Sequence, residues 1–344
     1  MAIRSTITIK ILAKKLGLSV GSVSKALNNS PEISLETREK VKALAKEYHY
    51  TPNHFASNLR NNTSKTIAVV VPEISDSFFS LAINGIEKAA QERAYHIIIS
   101  ITNELLSKEK MIINELHNGM VDGILISISR ETLEGSHLKE INEYGIPIVF
   151  FDRDLEAMDT AKVVTNDFES GYNAVKHLVD QQCNKISFLS VSESLSISKK
   201  RIEGFKKGLI ELSKYDMHNH IIKCSTEAHE NDLIITNLLQ DISNRPDGIV
   251  VSGEHLTISI YNVCKQLDIK IPEQLKIICF SNLAYATCLS PSLSTITQPA
   301  FEIGYKATHL LCDSLDGKLT ELKERIICPS KLEIRASSMG TKRI

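Results

Sequence analysis

Five basic side chains, Arg4, Lys10, Lys14, Lys15 and Lys25, fall within the first 30 residues of the chain, with no acid among them. Ammonium and guanidinium groups gathered in this way meet phosphate oxygens, a contact largely blind to base sequence. Up to residue 66 the segment holds 11 Lys and Arg against four Glu, a net +7. The remaining 278 residues carry −8, so the total of −1 over 344 residues conceals two unlike parts. A basic segment joined to a mildly acidic body points to a nucleic-acid or membrane module on a separate domain.

Chemistry of other kinds is sparse. The chain has no G-x-G-x-x-G or G-x-x-x-x-G-K-[ST] run, which argues against an enzyme and against a bound cofactor. His218, His220 and His229 crowd together without cysteine or H-E-x-x-H spacing, so no metal is expected. The seven cysteines, 183, 224, 264, 279, 288, 312 and 328, are odd in number and lack C-x-x-C, as suits reduced, buried thiols. Apolar runs such as Ile67–Val71 fall far short of the roughly 20 residues of a membrane helix. The N-terminus shows no apolar secretory core. The expectation is a cytoplasmic protein without a membrane partner. At 42% hydrophobic and 24% charged residues, the chain has room for about two ordinary domains and a small one.

The elements that must carry the basic side chains are short helices. Ile9, Leu12, Ala13 and Leu16 recur with helical period, and Thr8 is placed to cap them. Gly17 stands where the chain must turn, Ser19 can cap a second helix, and Val23 and Leu27 would be its buried face. A small residue, turn glycine, cap and apolar residue at these offsets predict a helix-turn-helix. A third helix is expected from Ser34 to about His49, with Val41, Leu44 and Ala45 inward. Residues 50–60 could form two further turns, followed by the polar run 61–65.

The run from Thr8 to Arg60, with T-I-x-x-x-A-x-x-x-G-x-S-x-x-x-V-S-x-x-L-N and Y-x-P-N-x-x-A-x-x-L, resembles the lactose-repressor (LacI/GalR) family of bacterial transcription regulators. The resemblance implies that the second helix enters the major groove of double-stranded operator DNA. Val20, Gly21, Ser22, Ser24 and Lys25 would be its groove-facing positions, with Thr8 and Ser19 as further DNA-binding residues of the domain. It further implies that Asn53, Ala56, Leu59 and Arg60 form a minor-groove hinge, with Leu59 as the wedge. Lys25 stands where many relatives carry arginine, and Ser57 replaces another arginine. Gly21 offers no side chain and Val20 only an apolar contact, so direct base readout is thin and DNA shape must contribute more.

From residue 66, apolar strands alternate with amphipathic helices in units of about 25–30 residues, the pattern of parallel sheets with helices on both faces. Strands are predicted at 67–71, 96–101, 123–128, 147–151, 186–191, 221–224, 248–252 and 276–280. Helices are predicted at 79–93, 108–119, 168–182, 200–212, 231–242, 257–267 and 301–315. The fold class is an N-terminal all-α helix-turn-helix domain plus an α/β periplasmic-binding-protein-like effector domain of two doubly wound parallel-sheet lobes. Residues 1–51 would form the helix-turn-helix, 52–65 the hinge and linker, and 66–344 the effector and dimerisation domain. Its N-lobe would take about 66–164 and part of 295–325, its C-lobe about 165–294 and the C-terminal end.

The resemblance continues through Ser77-Phe78-Phe79, the run 145–153, Arg201-Ile202-Glu203-Gly204-Phe205 and the run 290–299. It implies effector contacts from Phe78, Phe79, Ser127, Asp152, Arg153, Arg201, Gly253 and Ser281. An aromatic face packs on sugar C–H groups, and carboxylate or guanidinium pairs with hydroxyls. Three of these residues have a plainer alternative: Phe79 as core, Asp152 as a turn former, Arg201 in a surface ion pair. Two departures bear on the ligand. Cys279-Phe280-Ser281-Asn282 stands where many relatives have G-[FY]-D-D, and Gly253-Glu254 where many have N-D. These disfavour a simple free monosaccharide and leave a glycan fragment, a phosphorylated sugar or a nucleoside open.

The expected partners are a pseudo-palindromic double-stranded operator, a carbohydrate-related effector and a second copy of the chain. The sequence after Ile334-Arg335 leaves no heptad run for a tetramer tail. Lobe closure would change the spacing of the two DNA-reading heads in the dimer and so order or melt the hinge. The alternative is a periplasmic-type sugar-binding protein without a DNA function.

Overall fold

The computed structural model describes residues 7–50, 63–116, 119–212 and 221–340. The chain divides into two compact units, Met1–Ser64 and Lys65–Ile344.

The smaller unit contains helices α1 (Ile9–Leu16), α2 (Val20–Leu27) and α3 (Leu35–Glu47). Leu12, Ala13, Val23, Ala26, Val41 and Ala45 are its buried centre, with Leu16, Leu27 and Leu44 packed around them. Ala13 is small enough to let the helices pack closely. Gly17 ends α1 at φ 65°, the left-handed conformation that a side chain disfavours, and its N–H reaches back to the Ala13 and Lys14 carbonyls. Ser19 caps α2, its Oγ accepting from the Ser22 N–H at 3.0 Å. Thr8 does not cap as expected: its side chain makes no cap hydrogen bond, and only its carbonyl serves the first turn, accepting from Ile11 and Leu12.

The larger unit is built on two six-stranded sheets. The first lobe orders its strands β11-β5-β4-β3-β1-β2, and the second β12-β10-β9-β8-β6-β7. In the first sheet these are β1 (Thr66–Val71), β2 (His96–Ile101), β3 (Gly123–Ile126), β4 (Ile148–Phe151), β5 (Lys162–Thr165) and β11 (Arg325–Cys328). In the second they are β6 (Ile186–Ser190), β7 (Ile221–Lys223), β8 (Gly248–Val251), β9 (Lys276–Phe280), β10 (Ser294–Thr297) and β12 (Lys331–Glu333). All pairings are parallel except β10 with β12. Central strands are apolar along their whole length because helices cover both faces: β1, T-I-A-V-V-V, is buried at every position.

The first lobe is covered by α4 (Ser77–Glu92), α5 (Leu106–Leu116), α6 (Ser136–Glu143) and α11 (Ala300–Leu315). The second carries α7 (Asp167–Asp180), α8 (Ser196–Leu212), α9 (Ala228–Gln240) and α10 (His255–Gln266). Each lobe has two apolar layers, one on each side of its sheet. The chain crosses between lobes three times, after β5, β10 and β11. Sequence periodicity did not mark α6, β5, β10, β11 and β12. These are short, three to eight residues, and the last two are edge strands fixed by the crossovers rather than by an apolar run.

Both lobes use one device to bring a helix pair together. A Cβ on Gly85 of α4 would lie 2.0 Å from the Phe301 carbonyl oxygen of α11, and one on Gly304 would lie 2.1 Å from that of Ala82. In the second lobe, a Cβ on Gly171 of α7 would lie 2.2 Å from the Arg201 carbonyl oxygen, and one on Gly204 of α8 would lie 1.9 Å from that of Phe168. The second crossing fixes the backbone of Arg201.

Candidate functional site

In doubly wound sheets the loops beyond the carboxyl ends of the strands form the binding crevice. Here the loops after β1, β4, β6, β8 and β9 line a cavity of about 790 Å³. The first lobe contributes Asp76, Phe78, Phe79, Glu104, Asp152 and Arg153, and the second Arg201, Ser252, Gly253, Glu254, Phe280 and Ser281, with Gln298 from a crossover.

On the first lobe, Asp76 precedes α4 and its Oδ1 accepts from the Phe78 N–H at 2.8 Å. Burial, together with the nearby Glu254 charge, pushes the Asp76 carboxyl up to about 6. Phe78 and Phe79 pack edge to face, 5.3 Å between centroids, and Phe79 is both a core residue and a wall of the cavity. The Arg153 guanidinium lies 5.5 Å above the Phe79 ring. Its Nη1 donates to both Glu104 oxygens at 3.0 and 2.9 Å, while Glu104 also accepts from the Arg130 N–H at 2.7 Å.

Asp152 ends β4 in the left-handed region, at φ 60°, a conformation that Asp tolerates better than most residues. It accepts from Gln298 Nε2 at 3.3 Å. Burial pushes its carboxyl up to about 7 against the opposing pull of Arg153 and Arg201. Asp152 is thus a turn residue and a cavity residue at once.

Arg201 is buried, not at the surface, yet it keeps an ion pair. Its Nε donates to Asp167 at 2.7 Å, its Nη1 to the Ser252 carbonyl at 3.1 Å, and the guanidinium stacks 4.1 Å over Phe280. Its Nη2 has no protein hydrogen-bond partner. Three fixed contacts therefore hold a planar fork with one buried donor group left without a protein partner.

Gly253 and Ser281 line the cavity as well. Ser127 does not: it is fully buried, and only its N–H is accounted for, donating to the Val70 carbonyl. Glu254, Asp76, Glu104 and Gln298 were not among the expected contacts. Asp76 carried a readable signal as a capping residue before Ser77-Phe78-Phe79, Glu254 as part of the Gly253-Glu254 departure, and Gln298 within the run 290–299; Glu104 carried none.

On the helical unit, Thr8, Ser19 and Lys25 are exposed, Val20 is 37% exposed, and Gly21, Ser22 and Ser24 are half-buried. Val23 and Ala26 face inward, so Val20, Gly21, Ser24 and Lys25 share the outer side of α2; Ser19 caps that helix and Thr8 precedes α1. Lys25 pairs with Glu32. The expected hinge residues Asn53, Ala56, Leu59 and Arg60, together with Ser57, lie outside the described residues, as do His218 and His220. Among the described residues no cluster could hold a metal ion, and no helix is long and apolar enough to cross a membrane. The cysteines are free; six are buried and Cys288 is exposed, unlike the uniform burial expected.

Residues 8–53 match the family described as bacterial regulatory proteins, lacI family, and residues 175–338 match a periplasmic binding protein-like domain. The chain is 31% identical over 332 residues to the HTH-type transcriptional regulator DegA of Bacillus subtilis, covering 96% of this chain and 98% of that one. A periplasmic binding protein/LacI transcriptional regulator from Alkaliphilus metalliredigens, solved with D-xylulofuranose, is 28% identical, with a TM-score of 0.70 over 80% of this chain and all of that one. A lac repressor dimer solved with operator and an anti-inducer aligns with a TM-score of 0.86 over 98% of this chain and 100% of that one; at 18% identity it speaks to the fold alone.

Proposed function

The chain belongs to the lacI family of bacterial regulatory proteins, DNA-binding transcription regulators under effector control, and we propose that its effector is carbohydrate-related and sits in the cavity between the two lobes. Arg201 carries this reading. A buried guanidinium held on three sides, its Nη2 without a protein partner, lines a cavity that also presents Asp152 and the Phe79 ring, and this set suits a polyhydroxylated ligand. Hydroxyls would pair with the guanidinium and carboxylate while the apolar sugar face lies on the ring. The D-xylulofuranose bound by the Alkaliphilus relative agrees with that chemistry.

Phe78, Phe79, Asp152, Arg153, Arg201, Gly253 and Ser281 are the proposed effector contacts. Thr8, Ser19, Val20, Gly21, Ser22, Ser24 and Lys25 are the proposed operator contacts, presented twice in a homodimer to a pseudo-palindromic site. The protein acts in the cytoplasm as a regulator rather than as a catalyst. The match across residues 8–53 favours this over a binding protein without a DNA function.

A thermal-shift screen over neutral, phosphorylated and nucleoside sugars tests the reading, because a ligand that binds only the folded state raises the melting temperature. A hit by the native protein that is lost in Arg201→Lys supports it. A hit of equal strength in both proteins would move the ligand elsewhere. Losing one hydrogen bond to a charged group costs about 1.5–3 kcal/mol, roughly 10- to 150-fold in affinity.

A further inference from the structure

Glu254 stands on the second lobe, at the end of the loop after β8, but its carboxylate is bonded to the first. Its Oε1 accepts from the Ser77 backbone N–H at 2.8 Å and from the Ser77 hydroxyl at 2.9 Å. Its Oε2 accepts from the Ser281 hydroxyl at 3.1 Å, within its own lobe, and the Ser281 oxygen in turn accepts from the Leu283 N–H at 3.0 Å. Ser77 is the first residue of α4, whose opening N–H groups have no partner inside the helix and whose dipole favours a negative charge. Asp76 takes the next of them, the Phe78 N–H. Two carboxylates therefore serve one helix N-terminus, one from the adjoining loop and one from across the cavity.

Two other polar contacts between the lobes, away from the crossovers, are longer. The Asp154 N–H reaches Ser196 Oγ at 3.3 Å, and Lys200 reaches Glu156 at 3.3 Å with the Glu156 side chain largely exposed. A charge-assisted, two-donor contact at the cavity wall is the stronger kind. Sequence also sets Glu254 apart, since it falls in the Gly253-Glu254 pair that departs from the N-D of many relatives.

We propose that Glu254 is an interlobe latch, its carboxylate seated on the N-terminus of α4 and holding the two lobes together when no effector is bound. This rests on the cavity being the effector site only for its regulatory meaning: a ligand entering there must compete with the latch or close around it. The contact itself exists without any ligand.

The test measures the distance between the lobes in the ligand-free full chain. Exposed Cys288 is removed as Cys288→Ser, and spin labels are placed through Lys110→Cys on α5 and Lys206→Cys on α8, both exposed positions. Labelled protein is diluted into unlabelled protein so that only distances within one chain are read. The native residue at 254 should give one short population. Glu254→Ala should shift the ratio of short to long distances by about tenfold or more toward long, as loss of hydrogen bonds to a charged group implies. Glu254→Gln, which keeps one acceptor and the side-chain size, should lie between. Ser281→Ala removes only bonds within the second lobe, those to Glu254 and from the Leu283 N–H, and should stay near native.

Superimposable distributions for the native chain and Glu254→Ala would overturn the latch, as would an equal shift in Ser281→Ala. Failure of every sugar to bind the native chain by calorimetry would instead defeat the effector reading and leave these distances unchanged.

Discussion

Asp152 holds its proton to a higher pH when folded than when unfolded, since burial lifts its carboxyl from the ordinary value of 3.8 to about 7. In that interval the native state binds more protons than the unfolded one, so this group's stabilisation, full below pH 4, is lost as the pH rises through 7. The melting temperature of ligand-free Asp152→Asn, compared with native from pH 4 to 8, should gain on it steadily, because Asn has no proton to lose and still accepts from Gln298. A constant difference between the two curves would mean that Asp152 does not titrate there. Lys25 poses another question at this scale, because its pairing with Glu32 draws the ammonium across the exposed side of the head. Lys25→Ala should weaken operator and random DNA alike if the group meets phosphate. Loss confined to operator, about 1–3 kcal/mol, would mark base readout. Competition binding on both DNAs at one salt concentration distinguishes them. Lys25 was legible in the sequence as part of a basic run, whereas Glu32 as its partner was not, since only the turn after α2 brings them together.

The helix pairs show how small residues place large ones. Gly204 of α8 and Gly171 of α7 let two backbones touch, and Arg201 leaves α8 from that same crossing. A methyl group at 204 would meet the Phe168 carbonyl carbon at 2.8 Å and its oxygen at 1.9 Å, and backbone cannot move aside as a side-chain tip can. Gly204→Ala should therefore destabilise the protein by about 1–3 kcal/mol, the usual cost of overpacking, despite the better helix propensity of alanine. Denaturant unfolding measures it; a stabilised variant would show that the helices can separate cheaply. Arg201-Ile202-Glu203-Gly204-Phe205 read as one motif in the sequence. Its physical sense, a glycine that seats a helix so that an arginine three residues earlier meets Asp167, required the packing.

Across the whole molecule, charge is divided as the work is. The basic segment, net +7 over residues 1–66, is suited to meet phosphate, and the body at −8 is not. Operator affinity should fall steeply with salt, and Lys14→Ala on the exposed side of α1 should lower the slope of log K against log salt by about 1. An unchanged slope would place Lys14 away from the backbone.

Helix period, turn glycines and long buried strands were written in the order of residues, because each depends on neighbours within a few positions. They determined the helix-turn-helix, the alternating α/β body and the family. The cavity wall was decided by contacts between residues far apart in the chain. Glu254 meets Ser77 across 177 positions and Gln298 meets Asp152 across 146. Ser127, placed among the effector contacts by resemblance, faces the core instead. Whether a polar side chain reaches a cavity, a partner or neither is fixed by which loops the two sheets bring face to face, and local sequence does not encode that distance.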